Sequence, residues 1–247
     1  MHPCTETYPF VNSKEREVKA MLTIIAILVI TTFTIAGSYY ARRFEKPDGL
    51  IALYVLFTTL SQVMAAKIAA FDLMVVTVTA PAAVLVFAVT FLITDIVNEK
   101  FGQKQVHEMI LITFVTQLAM MVFLYIGGAL PPAPFWTGQD AWNSLLGAVP
   151  RIMLASWITF LVSENLDAWI FAVVKRKTKG RHLWARNVFS TVPALTVDTV
   201  LFVTLAFAGT GAPIWAIMVG QFVTKYLVSV LNIPFMYINR YVLGSSK

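Results

Sequence analysis

Seven charged residues fall within or at the ends of long apolar segments: Lys67, Asp95, Glu99, Glu164, Asp167, Asp198 and Lys225. A charge at the centre of a membrane helix costs about 2.5–3.5 kcal/mol, so such groups should face a protein interior or a wet cavity. Lys67 and Glu99 lie near segment ends, where a long side chain can instead reach the interface. Asp198 and Lys225 are near the middles of their segments and have no such escape. Helical spacing groups them further. Asn187, Thr191, Leu195, Asp198 and Phe202 recur at steps of three or four, as do Gln221, Lys225, Ser229 and Asn232, and Glu164 and Asp167 are three apart. Two inward stripes with polar members would line a site. The plainer alternative is interhelical hydrogen bonding that only holds a bundle, worth about 0.6 kcal/mol per bond. Five acids against two bases leave an excess of negative charge at depth, so one or more carboxyls should be protonated, wet or paired, which admits proton coupling.

Other chemistries have weaker claims. His2, His107 and His182 lie in tails or loops, and Cys4 is the only cysteine. No metal-ligand spacing, nucleophile elbow or phosphate loop is present, so neither catalysis, metal nor cofactor is expected. A rival from another class is a seven-helix retinal protein, in which Lys225 in the last span would carry the Schiff base. Against it, Asp95 lies too near a span end to be a central counter-ion, and Gln221 stands where an acid would precede the lysine by one turn.

The elements that must hold these residues follow from composition. Of 247 residues, 13% are charged and 58% hydrophobic, against about 25% charged in soluble domains. Mean hydropathy is +0.73. An all-α polytopic membrane bundle is expected, a tail over 1–17 followed by one helical domain over 18–247. Seven spans are predicted near 18–40, 50–71, 73–97, 108–130, 149–174, 188–209 and 213–242. Pro81, Pro193 and Pro234 are expected to interrupt spans. The segment 131–145, with Phe135, Trp136 and Trp142, reads as an interfacial lid. One side of such a weave collects Arg42, Arg43, Lys46, Lys100, Lys104, the basic cluster over 175–186, Arg240 and Lys247. The other collects only Lys14, Arg16, Lys19 and Arg151. The first side is therefore cytoplasmic, which places the N-terminus outside and the C-terminus inside. The net charge of +6 is accounted for by these loops, without nucleic acid.

Four stretches resemble the queuosine precursor transporters, also called the vitamin uptake transporter family. They are Ala66-Lys67; FLITDIVNEKFG at 91–102; WARNVFSTVPALTVDTVLFVTLAFAG at 184–209; and Gln221, Lys225, Pro234 and Tyr237. Phe101 replaces the family's usual tyrosine, Val188 its usual asparagine, and a customary glutamine before Asp198 is missing. Members typically have six spans, so the resemblance implies a six-helix core with an additional N-terminal helix. It also implies import of a purine-like base across the cytoplasmic membrane, such as 7-cyano- or 7-aminomethyl-7-deazaguanine. Such a base presents adjacent N1–H and 2-amino donors, which a carboxylate can accept as a fork. Asp198 or Glu164 would supply that carboxylate, and Asn187, Lys225 or Asn98 a donor to O6. Gln221 would add a polar contact, and Phe91, Trp169 or Phe202 aromatic walls. Asp95, Glu99, Lys67 and Asp167 would gate or couple. The partners implied are this small molecule and membrane lipids, and a homo-oligomer is compatible with the sequence.

Overall fold

Apolar runs of this length close their backbone hydrogen bonds most simply as helices. The computed structural model, which describes residues 13–72, 77–177 and 183–227, is built mainly from them. Helix α1 spans Ser13–Phe44 and α2 spans Asp48–Met64. Strands β1 (Ile68–Asp72) and β2 (Thr77–Pro81) follow. Then come α3 (Val84–Phe101), α4 (Gln103–Ala129), the short α5 (Gln139–Leu146), α6 (Val149–Lys177) and α7 (Leu183–Phe207). A last helix, α8, covers Ile214–Leu227. Three helical stretches are long and apolar enough to cross a membrane: Ile24–Phe44, Gln103–Ala129, and Gln139–Ser163, which runs from α5 into α6. The other apolar helices are shorter.

The expectation of an all-α chain is corrected at one place. Span two was expected to run to residue 71 and span three to begin at 73. Instead α2 stops at Met64, α3 starts at Val84, and an antiparallel hairpin occupies the interval. Its register pairs Ile68 with Pro81, Ala70 with Thr79 and Phe71 with Val78. The Ala82 amide donates to the Lys67 carbonyl at 2.8 Å, closing the base of the hairpin. The physical reason lies in the β-branched run Val75, Val76, Thr77, Val78, Thr79, which favours an extended backbone, and in Pro81, which lacks a donor and ends the strand. Pro81 therefore breaks no helix. Pro193 lies inside α7, and Pro234 lies outside the described residues.

The exposure pattern is that of a chain solvated by lipid. On α4, Phe123 is 73% exposed and Leu111, Val115 and Tyr125 also point outward, whereas Thr113 and Gln117, the latter only 3% exposed, are buried. A helix facing water would turn its polar side out. The inward Gln117 has a partner, accepting a 2.6 Å hydrogen bond from Trp157 Nε1 of α6, and the Trp157 ring packs 4.6 Å from Phe114. Replacing Trp157 with Phe keeps the ring contact but orphans the amide. This should lower unfolding stability in detergent by about 1–3 kcal/mol, the penalty of an unsatisfied buried polar group, and a thermal melt reads the change.

Two helical cores form. One joins α1, α2, α3 and α4 through Ile30, Leu50, Phe57, Ile93 and Met109. The additional N-terminal helix is thus packed into the bundle, and Lys100 of α3 donates to its Ala41 carbonyl. The other joins α6, α7 and α8 through Ile152, Val203, Phe207 and Ile217. Arg151, at the start of α6, donates to the Leu205 and Ala208 carbonyls and so satisfies the C-terminal end of α7. The hairpin forms a small third cluster of Phe71, Val78, Ala80 and Val84, against which Val223 of α8 packs. Between α3 and α4 the helix is interrupted at Gly102, whose φ of +85° disfavours any other residue. The segment 131–145 forms a turn and the exposed α5, and none of its residues lines the pocket described below.

Candidate functional site

Asp198 and Lys225 meet. Asp198 lies on α7 between Leu195 and Phe202 of one face, and Lys225 lies one turn after Gln221 on α8. Their side chains, 10% and 8% exposed, form a hydrogen-bonded ion pair. This is what desolvation requires, since a buried charge without a partner costs several kcal/mol. The two helices are held in register beside the pair by Tyr226, whose hydroxyl donates to the Val192 carbonyl and lies 3.1 Å from the Thr196 hydroxyl. Lys225 Nζ also stands 6.0 Å from the centroid of the Phe87 ring on α3, a cation–π contact.

The pair borders a pocket lined by residues of α2, α3, α6, α7, α8 and the hairpin. Ser61 and Gln62 come from α2, Ala65 from the turn after it, Pro81 from β2, and Val84 and Phe87 from α3. Ser156 and Thr159 come from α6, Asp198 and Phe202 from α7, and Gln221 and Lys225 from α8. Mixed apolar walls with a few convergent polar groups suit a small molecule. Ser61 is satisfied by its own helix, donating to the Thr58 carbonyl at 2.6 Å. Two other atoms are not. Thr159 Oγ1 and Gln221 Oε1 are buried with no hydrogen-bond partner among the described residues.

Of the residues singled out in the sequence, Asp198, Lys225, Gln221 and Phe202 converge here. Asn98 does not. It is exposed on α3, eleven residues beyond Phe87 and so about 16 Å along the helix. Lys67 is exposed in the turn after α2, and Trp169 faces outward on α6. Glu164 and Asp167 are on α6, Asn187 on α7, and Asp95 and Glu99 on α3, but their side chains, like that of Phe91, lie outside those described. Sequence reasoning missed Gln62, Thr159, Ser156 and Phe87. Gln62 had a signal, a lone amide inside an apolar segment. The hydroxyls had none, because Ser and Thr so often bond their own helix. Among the described residues no cluster of His, Cys, Asp or Glu could hold a metal ion.

A helical bundle with lipid-type exposure and a pocket of mixed apolar and polar lining is that of a membrane protein. A family model described as "Putative vitamin uptake transporter" matches residues 81–239, more than half of the chain. The chain belongs to this vitamin uptake transporter family. It is 29% identical over 156 residues to the "Probable queuosine precursor transporter" of Bacillus subtilis (strain 168), an alignment covering 62% of this chain and 68% of that protein. No solved structure matches the chain. The family match includes Lys225, and it lends the retinal-binding alternative no support.

Proposed function

We propose that the protein imports a queuosine precursor, a 7-deazaguanine base such as the 7-cyano or 7-aminomethyl compound, across the cytoplasmic membrane. The observation that carries this reading is the buried Asp198–Lys225 pair on the wall of a central pocket in a vitamin uptake transporter. A carboxylate has two oxygens and about four acceptor sites, so Asp198 can hold Lys225 and still accept the N1–H and 2-amino fork of a guanine-like edge. Lys225 donates to O6. Phe87 and Phe202 provide flat walls for the ring. Asn187 is a further contact, and Asp95, Glu99, Glu164 and Asp167 serve gating or coupling, with protons the coupling ion.

In this reading α1 to α4 and α6 to α8 each cross the bilayer, with the N-terminus outside. The shorter helices fit because the hairpin, not the helix, completes the depth between α2 and α3. Irregular backbone at membrane depth is tolerated where protein buries it or a cavity borders it, and Pro81 borders the pocket.

The test is uptake in a strain that cannot make the precursor. The wild-type gene should restore queuosine in tRNA when either base is supplied at low concentration. No restoration with any queuosine precursor, from a protein shown to reach the membrane, removes the assignment.

A further inference from the structure

The polar complement of the pocket is unusual in how its charges are used. Among its described lining residues Asp198 and Lys225 are the only charged ones, and each is engaged by the other. Among the described residues the lining is therefore neutral as a unit. Beyond the base edge that Asp198 accepts, the recognition capacity left over among them is also neutral. The Gln221 carbonyl oxygen, in a residue 3% exposed, is an acceptor that needs a donor, and the Thr159 hydroxyl, in a residue 1% exposed, can donate or accept. We infer that the site selects an uncharged heterocycle carrying hydrogen-bond donors over one bearing a cationic substituent, with Thr159 and Gln221 as further specificity-determining contacts. This rests on the transport reading above and deepens it.

The reason is desolvation. An alkyl ammonium is charged at neutral pH, with a reference pKa of about 10. Brought against a described lining whose one carboxylate is already paired, it meets Lys225 as a like charge and finds no unpaired anion among the described residues there. A nitrile of similar size brings no charge and loses little hydration. Of the two deazaguanine bases, the 7-cyano compound is therefore the better ligand. The unpaired Gln221 oxygen gives it a place for a ring or exocyclic N–H, and leaving such an acceptor unmatched is costly in a buried site.

The experiment measures initial uptake of the 7-cyano and 7-aminomethyl bases at equal concentration by the full chain, in cells lacking precursor synthesis. The expected result is a preference for the cyano base of about tenfold or more, which corresponds to roughly 1.4 kcal/mol. Equal rates, or preference for the amine, overturn the inference while leaving the transport reading intact. Uptake of neither base overturns the transport reading and the inference with it. Lys225→Met then tests the cause, because it frees a carboxylate for the ammonium. The cyano-to-aminomethyl ratio should fall by about tenfold or more, and an unmoved ratio in a protein of normal abundance refutes the charge argument. If that variant fails to accumulate, the wild-type ratio decides, together with Thr159→Val. That near-isosteric change should raise the half-saturating concentration for the cyano base about three- to tenfold, as for one lost hydrogen bond. No change excludes Thr159 as a contact.

Discussion

Asp198→Asn should abolish transport and Lys225→Met should slow it without abolishing it, each should weaken the fold, and combining them should restore the fold without restoring transport. The argument turns on what each change leaves behind. With both partners present the charges are buried together and compensated. Removing one strands the other in a space walled by Phe87, Phe202 and Val84, and breaking such pairs costs about 3–5 kcal/mol. Removing both takes away the stranded charge, and replacing a buried pair by neutral groups of similar volume is often close to neutral. Binding follows a different rule, because the carboxylate that accepts the base edge is gone in both the single Asp198 variant and the double variant. A loss of uptake of at least about 100-fold corresponds to 2.7 kcal/mol, within reach of one charge-assisted fork. Thermal melts in detergent and uptake rates, measured on the same three variants, separate the two effects. Single variants as stable as the wild type would show that the pair carries no structural cost, and a double variant with full uptake would remove Asp198 from the site.

Legibility in the sequence tracked how local each signal was. The charged residues at mid-span were readable because a bilayer makes a lone Asp or Lys in an apolar run conspicuous, and spacing by three or four puts Asp198 with Phe202, and Gln221 with Lys225, on shared faces. The pairing of these faces was a reasonable step from there. The hairpin was not reached, although Val75 to Thr79 is a run of five β-branched residues, because hydropathy averaged over a window treats valine in a strand and valine in a helix alike. Asn98 was misplaced for a related reason. Its motif, TDIVNEKFG, marks the end of α3 and the turn at Gly102, a position along the helix axis that side-chain type alone does not report. Thr159 and Gln62 were beyond reach for lack of contrast, since their value lies in which helix faces them.

The hairpin also explains how the site is shaped. Apolar helices packed side by side leave little room at their centre, as each fills the groove of its neighbour. Ending α2 at Met64 and restarting at Val84 removes helix from that position. The space is shared between a thin two-stranded ribbon and the pocket, so the same departure from helix that moved the ends of α2 and α3 makes room for the cavity that Asp198 and Lys225 border.

That dependence makes Gly220 the residue whose change should be felt most strongly outside the ion pair. It sits on α8, one residue before Gln221, directly against β2. A Cβ built there would lie 1.7 Å from the Thr79 carbonyl oxygen, 2.5 Å from its carbon and 3.0 Å from its nitrogen. These are backbone atoms, so no rotamer change relieves the overlap, and a normal contact of about 3.5 Å needs the strand to retreat. The strand cannot retreat alone. Thr79 is paired with Ala70, and Pro81, two residues on, forms part of the pocket wall. Gly220→Ala should therefore cost more than the 1–3 kcal/mol typical of overpacking. It should also displace the pocket wall that Pro81 forms, lowering uptake about tenfold or more in whatever protein still folds. Gly128→Ala on α4 is the matched control. Its Cβ would meet only Trp142 Nε1 at 3.6 Å, an ordinary contact, and alanine in a helix is favoured over glycine by about 1 kcal/mol. That variant should melt at or above the wild-type temperature with full uptake. Equal behaviour of the two alanine variants would mean that α8 and the hairpin do not touch as closely as Gly220 and Thr79 require.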